Sequence, residues 1–498
     1  METHKLKTRN STKSSENSVS PENPDNFSLD KNFTKKSFIE RDKLYNIIEN
    51  AEKEYSTKNL ELILKKSLKL KGLSVDEAAI LLMAKSKKDI DRILDVSSIV
   101  KQAIYGKRLV LFAPLYLANY CSNNCLYCAF RKDNKKIKRA KLNDEQIKLE
   151  VKSLLRQGHK RILLLTGESE ATSLEYFLNA IDIAYSVREN GSNIRRINVE
   201  IAPLTVDEFQ KLEEKKIGTY VCFQETYDEV LYKNYHPTGP KSDYLNRLFV
   251  MDRAMEAGIK DVGIGALFGL APYKFEVLAL IEHANHLEDR FGTGCHTVSI
   301  PRIEKALGAP LSSHVPYPVS DEDFSKLLGI LRLALPYTGI ILSTRENENF
   351  RQKLFKYGVS QISAGSRTNP GAYATDDKEE EENSSQFSLG DHRTLHQVIS
   401  SLVDDGYIPS FCTGCYRKGR VGQDFMDLAK PGLIQKYCMP NGLTSFMEYL
   451  LDFADNELKT KGFLLIDNLV NEIEDPELQK LIIKNLESVK SGERDVYI

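Results

Sequence analysis

Six of the eight cysteines in this 498-residue chain fall into two short sets, Cys121, Cys125 and Cys128 in one and Cys412, Cys415 and Cys438 in the other. So few cysteines in so long a chain cannot make a disulfide framework, and reduced thiolates that bind metal are the better reading. Each trio is one ligand short of the four that structural zinc or an ordinary 4Fe–4S cluster requires, and no histidine stands near the first set to complete it. One coordination position there is left open. A zinc ribbon built from Cys125-x2-Cys128 and Cys412-x2-Cys415 fails, because such pairs usually stand roughly 15–20 residues apart. Cys222 and Cys295 are isolated and read as buried packing residues.

An iron-sulfur cluster with one unligated iron can bind the amino and carboxylate groups of S-adenosylmethionine (SAM) and cleave its sulfonium to a 5′-deoxyadenosyl radical. A loop at the end of a strand is the element that must hold such a centre. The segment APLYLANYCSNNCLYCAF runs straight out of the apolar stretch Leu109 to Leu117. Seven more β-rich runs follow, separated by amphipathic helical stretches: Arg161 to Thr166, Ile197 to Ala202, Thr219 to Phe223, Asp261 to Leu267, Thr297 to Ile300, Gly339 to Ser343 and Val359 to Ser363. Eight such units predict an α/β fold, a closed (β/α)8 TIM-type barrel, whose chemistry belongs at the C-terminal ends of the strands.

The rest of the chain surrounds that barrel, expected over residues 107–372. Residues 1–36 are polar and too poor in apolar side chains to order themselves, which predicts a disordered tail. Residues 37–106 read as an N-terminal helical segment, with Ser74, Asp76 and Glu77 marking a helix start. Within 373–390 the block DDKEEEENSSQ carries six acids against one lysine and reads as a solvated loop at the barrel exit. A helix is expected over Asp391 to Asp405, and residues 391–498 form a mostly helical iron-sulfur domain around the second cysteine set. Charged residues make up 28% and the net charge is -1, so no global field favours nucleic acid, and the run KKIKRA at 135–140 reads as a solvated approach to a helix. No stretch approaches the roughly 18 apolar residues of a membrane span, and the N-terminus lacks a secretory core, which points to a cytoplasmic protein.

The spacing Cys-x3-Cys-x2-Cys, with Tyr127 before the third cysteine, resembles the radical SAM superfamily over roughly residues 105 to 370. The resemblance makes Cys121, Cys125 and Cys128 ligands of a 4Fe–4S cluster that binds SAM, with Tyr127 beside the cofactor. Gly167 and Glu168, after the second strand, resemble the GGE motif that binds the cofactor's amino group, with Thr166 in place of the first glycine. Gly263 and Gly265, in VGIGALFGL, resemble a Gly-x-Ile-x-Gly pattern whose backbone approaches adenine. Glu225, ending the fourth strand, faces either cofactor or solvent.

The second set, FCTGCYRKGRVGQDFM followed by KYCMPNG, together with SAGSRTNPGAY at the eighth strand, resembles the radical SAM tyrosine lyases that mature FeFe-hydrogenase, from about residue 40 to the end. That resemblance implies cleavage of L-tyrosine to p-cresol and dehydroglycine (2-iminoacetate), then formation of CO and cyanide on a second 4Fe–4S cluster carrying a labile iron. Cys412, Cys415 and Cys438 are its implied ligands, and His296, at the start of the sixth strand, the implied ligand of the labile iron. Arg345 is placed to hold the substrate carboxylate, and Ser363 and Ser366 to hydrogen-bond substrate or cap the turn. Implied partners are SAM, tyrosine, cysteine, an electron donor of flavodoxin or ferredoxin type, other hydrogenase maturases and the FeFe-hydrogenase, with no nucleic acid or membrane among them. Two alternatives stay open: a thiazole-pathway 2-iminoacetate synthase, and a non-catalytic iron-sulfur scaffold. A path through the barrel joining the two clusters is expected. His236, His283, His286 and His314 show no ligand-like neighbours, and His159, in a basic turn, reads as solvated.

Overall fold

A computed structural model describes residues 36–375, 383–430 and 434–498. The alternation in the first strand sets the architecture. In β1, Arg108–Ala118, the side chains of Leu109, Leu111, Ala113, Leu115 and Leu117 enter the apolar core, while Phe112, Pro114 and Tyr116 line an inner cavity. One face is buried under helices and the other looks into a barrel.

Seven strands follow in order: β2 Arg161–Thr166, β3 Arg196–Glu200, β4 Tyr220–Val221, β5 Val262–Gly265, β6 Thr297–Ser299, β7 Gly339–Leu342 and β8 Gln361–Ser363. Each pairs in parallel with the next, and β1 pairs with both β2 and β8, so the barrel closes. All eight expected runs are strands, most of them shorter than their apolar stretches. A ninth strand, β9 Ile408–Ser410, pairs with Arg108–Val110 of β1. It occupies the edge that β1 gives to β2 further along. Three residues with a central proline carry no strand signature, so β9 was not foreseen.

Among the described residues four helices precede the barrel: α1 Arg41–Glu54, α2 Thr57–Ser67, α3 Val75–Leu82 and α4 Lys87–Tyr105. Ser74 and Glu77 cap α3 reciprocally, as the sequence predicted. The helix α4 packs on helix Asp321–Ala334 of the barrel layer, where a Cβ at Gly329 would meet Leu94 at 3.2 Å. After the barrel, helix Leu395–Asp404 starts later than expected, with Thr394 as its cap. Asp391 is taken instead by ion pairs with Arg351 and Arg393. Helix Gln435–Asp452 lies against β9, β1 and α4, and so covers the end where the strands begin.

That covering overturns the solvated reading of His159. Its exposure is 0%, and neither ring nitrogen has a partner. Phe411 stands edge-on to the ring at 6.3 Å, and a Cβ on neighbouring Gly158 would touch Tyr449 of the covering helix at 2.6 Å. A basic turn looks solvated only until a distant segment docks on it.

The acidic block also departs from expectation. Residues 376–382 lie outside the described residues, as does the expected tail except for Lys36. Residues 383–386, however, are no solvated loop: Ser384 is buried, and Gln386 turns back toward the first cysteine set. In the basic run at 135–140, Arg139 donates to the carbonyls of Asn119, Phe130 and Arg131 and so braces the cysteine loop.

Candidate functional site

The first cysteine set follows β1 on a loop held from three sides. Ser122 N–H donates to the Glu168 carbonyl (2.7 Å) and Asn123 Nδ2 to Glu168 Oε2 (2.7 Å). Asn124 and Leu126 donate to the carbonyls of Thr238 and Tyr235. Gly167 is needed at its position, because a Cβ there would sit 2.2 Å from the Tyr120 carbonyl oxygen. Gly167 and Glu168 line a mouth cavity of about 430 Å³ together with Ser122 and Gly239. Tyr127 packs inward, its hydroxyl 2.8 Å from His236 Nε2, while His236 Nδ1 meets the Tyr232 carbonyl at 2.8 Å. His236, which no sequence signal singled out, therefore orients the aromatic ring between the second and third cysteines.

Burial pushes the thiols of Cys125 and Cys128 up, to about 12 and about 11, so binding of iron there must displace protons. Among the described residues no three His, Cys, Asp or Glu side chains converge as the ligands of a single metal ion do. The fit of each trio to an iron-sulfur cluster rests on its donors, three free thiols gathered at one end of the barrel.

Inside the barrel, next to Cys128, lies a cavity of about 130 Å³. Arg345 lines it and makes no ion pair with any described residue. Its guanidinium lies over the Phe387 ring at 3.3 Å, and its one hydrogen bond, to the Arg302 carbonyl, is long at 3.4 Å. Ser366 also lines the cavity with a buried hydroxyl that has no partner. Ser363 differs, since its Oγ accepts from the Thr344 N–H at 3.1 Å and is committed to the backbone.

Glu225, which the sequence left facing cofactor or solvent, lines this cavity, together with Glu200 and Gln386, which the sequence reading passed over. Glu200, the last residue of β3, is pushed up to about 7 by burial and by the charge of Glu225. Its position at a strand's C-terminal end was the signal available. Burial opposes the Glu225 carboxylate, yet Lys241, at 2.6 Å, and Arg247 hold it below its ordinary range. The Glu225 backbone is left-handed (φ 70°), a strained conformation of the kind found where a side chain must be aimed. Gln386 accepts from the Tyr116 hydroxyl (2.7 Å) and directs Nε2 at Cys128 Sγ (3.7 Å).

Gly263 and Gly265 make room within the barrel. A Cβ would meet Thr297 Oγ1 at 2.5 Å in the first case and the Phe223 ring at 2.6 Å in the second. Cys222 and Cys295 are buried in the core, as expected. His283 is buried and bonded to Tyr227, His286 meets Asp252, and His314 is exposed.

The second set gathers at the opposite end of the barrel. Cys412 follows β9, Cys415 sits in the short helix Gly414–Arg417, and Cys438 in the first turn of helix Gln435–Asp452. All three line a cavity of about 60 Å³ with His296 and residues that open or precede strands, among them Arg108, Arg161 and Gln361. Cys415 and Cys438 interact directly, which holds the Cys438 thiol below its ordinary range and raises that of Cys415. His296 lies between Asp261 (Nδ1 to Oδ1, 3.6 Å) and the Tyr416 hydroxyl (3.3 Å from Nε2). Burial lowers its pKa and so favours the neutral imidazole, the form that ligates metal. The upper and lower cavities share no lining residue. Asn198 and Val221 line the upper space, and Val110 and Gln361 the lower.

Comparison with known proteins accords with this geometry. The Radical SAM superfamily model matches residues 115–282, and that of the Biotin and Thiamin Synthesis associated domain residues 299–408. The 2-iminoacetate synthase of Salmonella typhimurium is 30% identical over 346 residues, 69% of this chain and 88% of the relative. A crystal structure of HydG, a maturase of the [FeFe]-hydrogenase, superposes with a TM-score of 0.89 at 43% identity, covering 93% of this chain and 100% of that one. The chain belongs to the HydG family of radical SAM enzymes. The HydG of Carboxydothermus hydrogenoformans agrees, at 41% identity and a TM-score of 0.78, over 89% of this chain and 97% of its own. Like other radical SAM enzymes, this HydG-family protein uses a 4Fe–4S cluster and SAM. No helix among the described residues is long and apolar enough to cross a membrane.

Proposed function

We propose that the protein cleaves L-tyrosine to p-cresol and 2-iminoacetate and converts the latter to CO and cyanide for maturation of an FeFe-hydrogenase. The observation that carries this reading is the second trio, Cys412, Cys415 and Cys438, gathered with His296 around one cavity at the barrel end opposite the first set. A 2-iminoacetate synthase of the thiazole pathway stops at the first product and has no use for that site.

With SAM bound, a cluster held by Cys121, Cys125 and Cys128 would supply a carbon radical to the substrate. The chain's own residues fix the substrate in the upper cavity. Arg345, free of ion pairs, is suited to grip the tyrosine carboxylate with two parallel hydrogen bonds, and the unpartnered Ser366 hydroxyl adds a third contact. Glu200 and Glu225 offer acceptors for the ammonium. Phe112, Leu163, Leu165, Phe223 and Ile341 wall the space with apolar surface, which keeps water from a reactive alkyl radical. At the far end, three thiolates would hold the second cluster, and neutral His296 the labile iron. An electron donor of flavodoxin or ferredoxin type, cysteine, and the other maturases in the cytoplasm complete the proposed setting.

The test is direct. Anaerobically reconstituted, reduced protein given SAM and tyrosine should yield 5′-deoxyadenosine, p-cresol, CO and cyanide. Absence of both 5′-deoxyadenosine and p-cresol would leave an iron-sulfur scaffold. The first two products without CO would leave a 2-iminoacetate synthase.

A further inference from the structure

The floor of the barrel holds a cation that the proposed chemistry leaves unused. Arg108 opens β1 and lines the second cavity, yet its guanidinium makes no hydrogen bond or ion pair with any described residue, and its Nε is enclosed without a partner. Neighbouring arginines are all engaged. Arg161 donates to the Cys412 carbonyl (2.8 Å), Arg195 pairs with Glu448 (2.7 Å), Arg196 lies against the Tyr416 ring, and Arg420 donates to the Ile498 carbonyl (2.6 Å). Space is kept for Arg108: a Cβ at Gly442, one turn beyond Cys438, would come within 3.1 Å of its Cδ. The acidic groups whose charges act most on the guanidinium are the thiols of Cys438, Cys412 and Cys415.

A half-buried guanidinium with an enclosed, unpartnered Nε and no anion beside it is costly, and native proteins keep one only where a counter-charge arrives. We propose that Arg108 is the built-in counter-charge of the second cysteine site, a positioning residue that neutralises the three-thiolate anion formed on loading and raises the reduction potential of the centre held there. This deepens the two-cluster reading and rests on it. A fixed positive charge close to a redox centre in a low-dielectric setting favours the reduced, more negative state. Its removal makes reduction harder at that centre. The first centre, at the other end of the barrel, serves as the internal control.

The experiment is redox-poised electron paramagnetic resonance (EPR), with iron and sulfide counting, on the full chain reconstituted anaerobically as wild type, Arg108→Gln and Arg108→Lys. The Gln variant should show the second signal at a lower midpoint potential with the first unmoved, and the Lys variant should recover most of the shift. Loss of the second centre in the Gln variant with its retention in the Lys variant supports the same role, because the charge is then what holds the site together. A second signal at wild-type potential in the Gln variant overturns the proposal, as does a Lys variant as altered as the Gln one. A wild type that never shows a second signal overturns the two-cluster reading itself, and so the two failures are told apart.

Discussion

Arg345 makes no ion pair with any described residue, and on the proposed reading a substrate carboxylate supplies its counter-charge in the cavity it lines. Arg345→Lys keeps the charge and loses the planar fork, and since charge-assisted hydrogen bonds are worth about 1.5–3 kcal/mol, the tyrosine KM should rise about 10- to 100-fold. Product formation against tyrosine concentration measures this, and an unchanged KM would remove Arg345 from substrate binding. His159 makes a different prediction. Burial lowers its pKa from 6.5 to about 3, so between those values the unfolded chain binds a proton that the folded one refuses. Stability is complete above pH 6.5 and is lost as pH falls through that window, by about 2 kcal/mol at pH 5. In His159→Phe the fall of Tm between pH 7 and pH 5 should therefore shrink, and an unaltered slope would mean that the ring is hydrated. At this scale the cysteines were legible because ligand spacing is a local property. Ser363 and Ser366 were not separable, since which hydroxyl the backbone consumes depends on where Thr344 of the preceding strand unit arrives.

Short loops aim the first site, and glycine marks the tightest contact. Gly167→Ala would drive a methyl into the Tyr120 carbonyl 2.2 Å away, shifting the loop that carries Cys121. The expected cost is about 1–3 kcal/mol of stability, with lower iron content at the first centre after reconstitution. A thermal melt with iron analysis checks both, and normal iron binding would show that the loop yields without harm. The eight barrel strands were legible as apolar runs between amphipathic stretches, but β9 was not, because Ile408–Ser410 becomes a strand only through pairing with the start of β1. The same cause hid the role of Gln386. A strongly charged block reads as solvent-facing, and the polar end that folds back toward Cys128 has no periodicity to announce it.

The molecule as a whole separates two sites by the length of one barrel. Eight strands in the sequence suggested closure, whereas the pairing of β1 with both β2 and β8 is a property of the assembled sheet. Which residues line which cavity was illegible for a similar reason, since Asn198, Val221, Val110 and Gln361 come from four different strands. Separation at this scale implies separable functions. Cys125→Ala should abolish p-cresol formation, while Cys415→Ala should retain it and lose CO and iron-cyanide output; equal CO output from Cys415→Ala and wild type would mean that the second trio is not the assembly site. The most direct measurement is EPR with iron and sulfide counting on wild type and on two triple variants, each lacking one cysteine trio. Wild type should give two signals, and each variant should lose a different one while keeping the other. A single signal in wild type, zinc in place of iron, or loss of both signals from either variant would contradict a protein built around two independent open-cornered clusters.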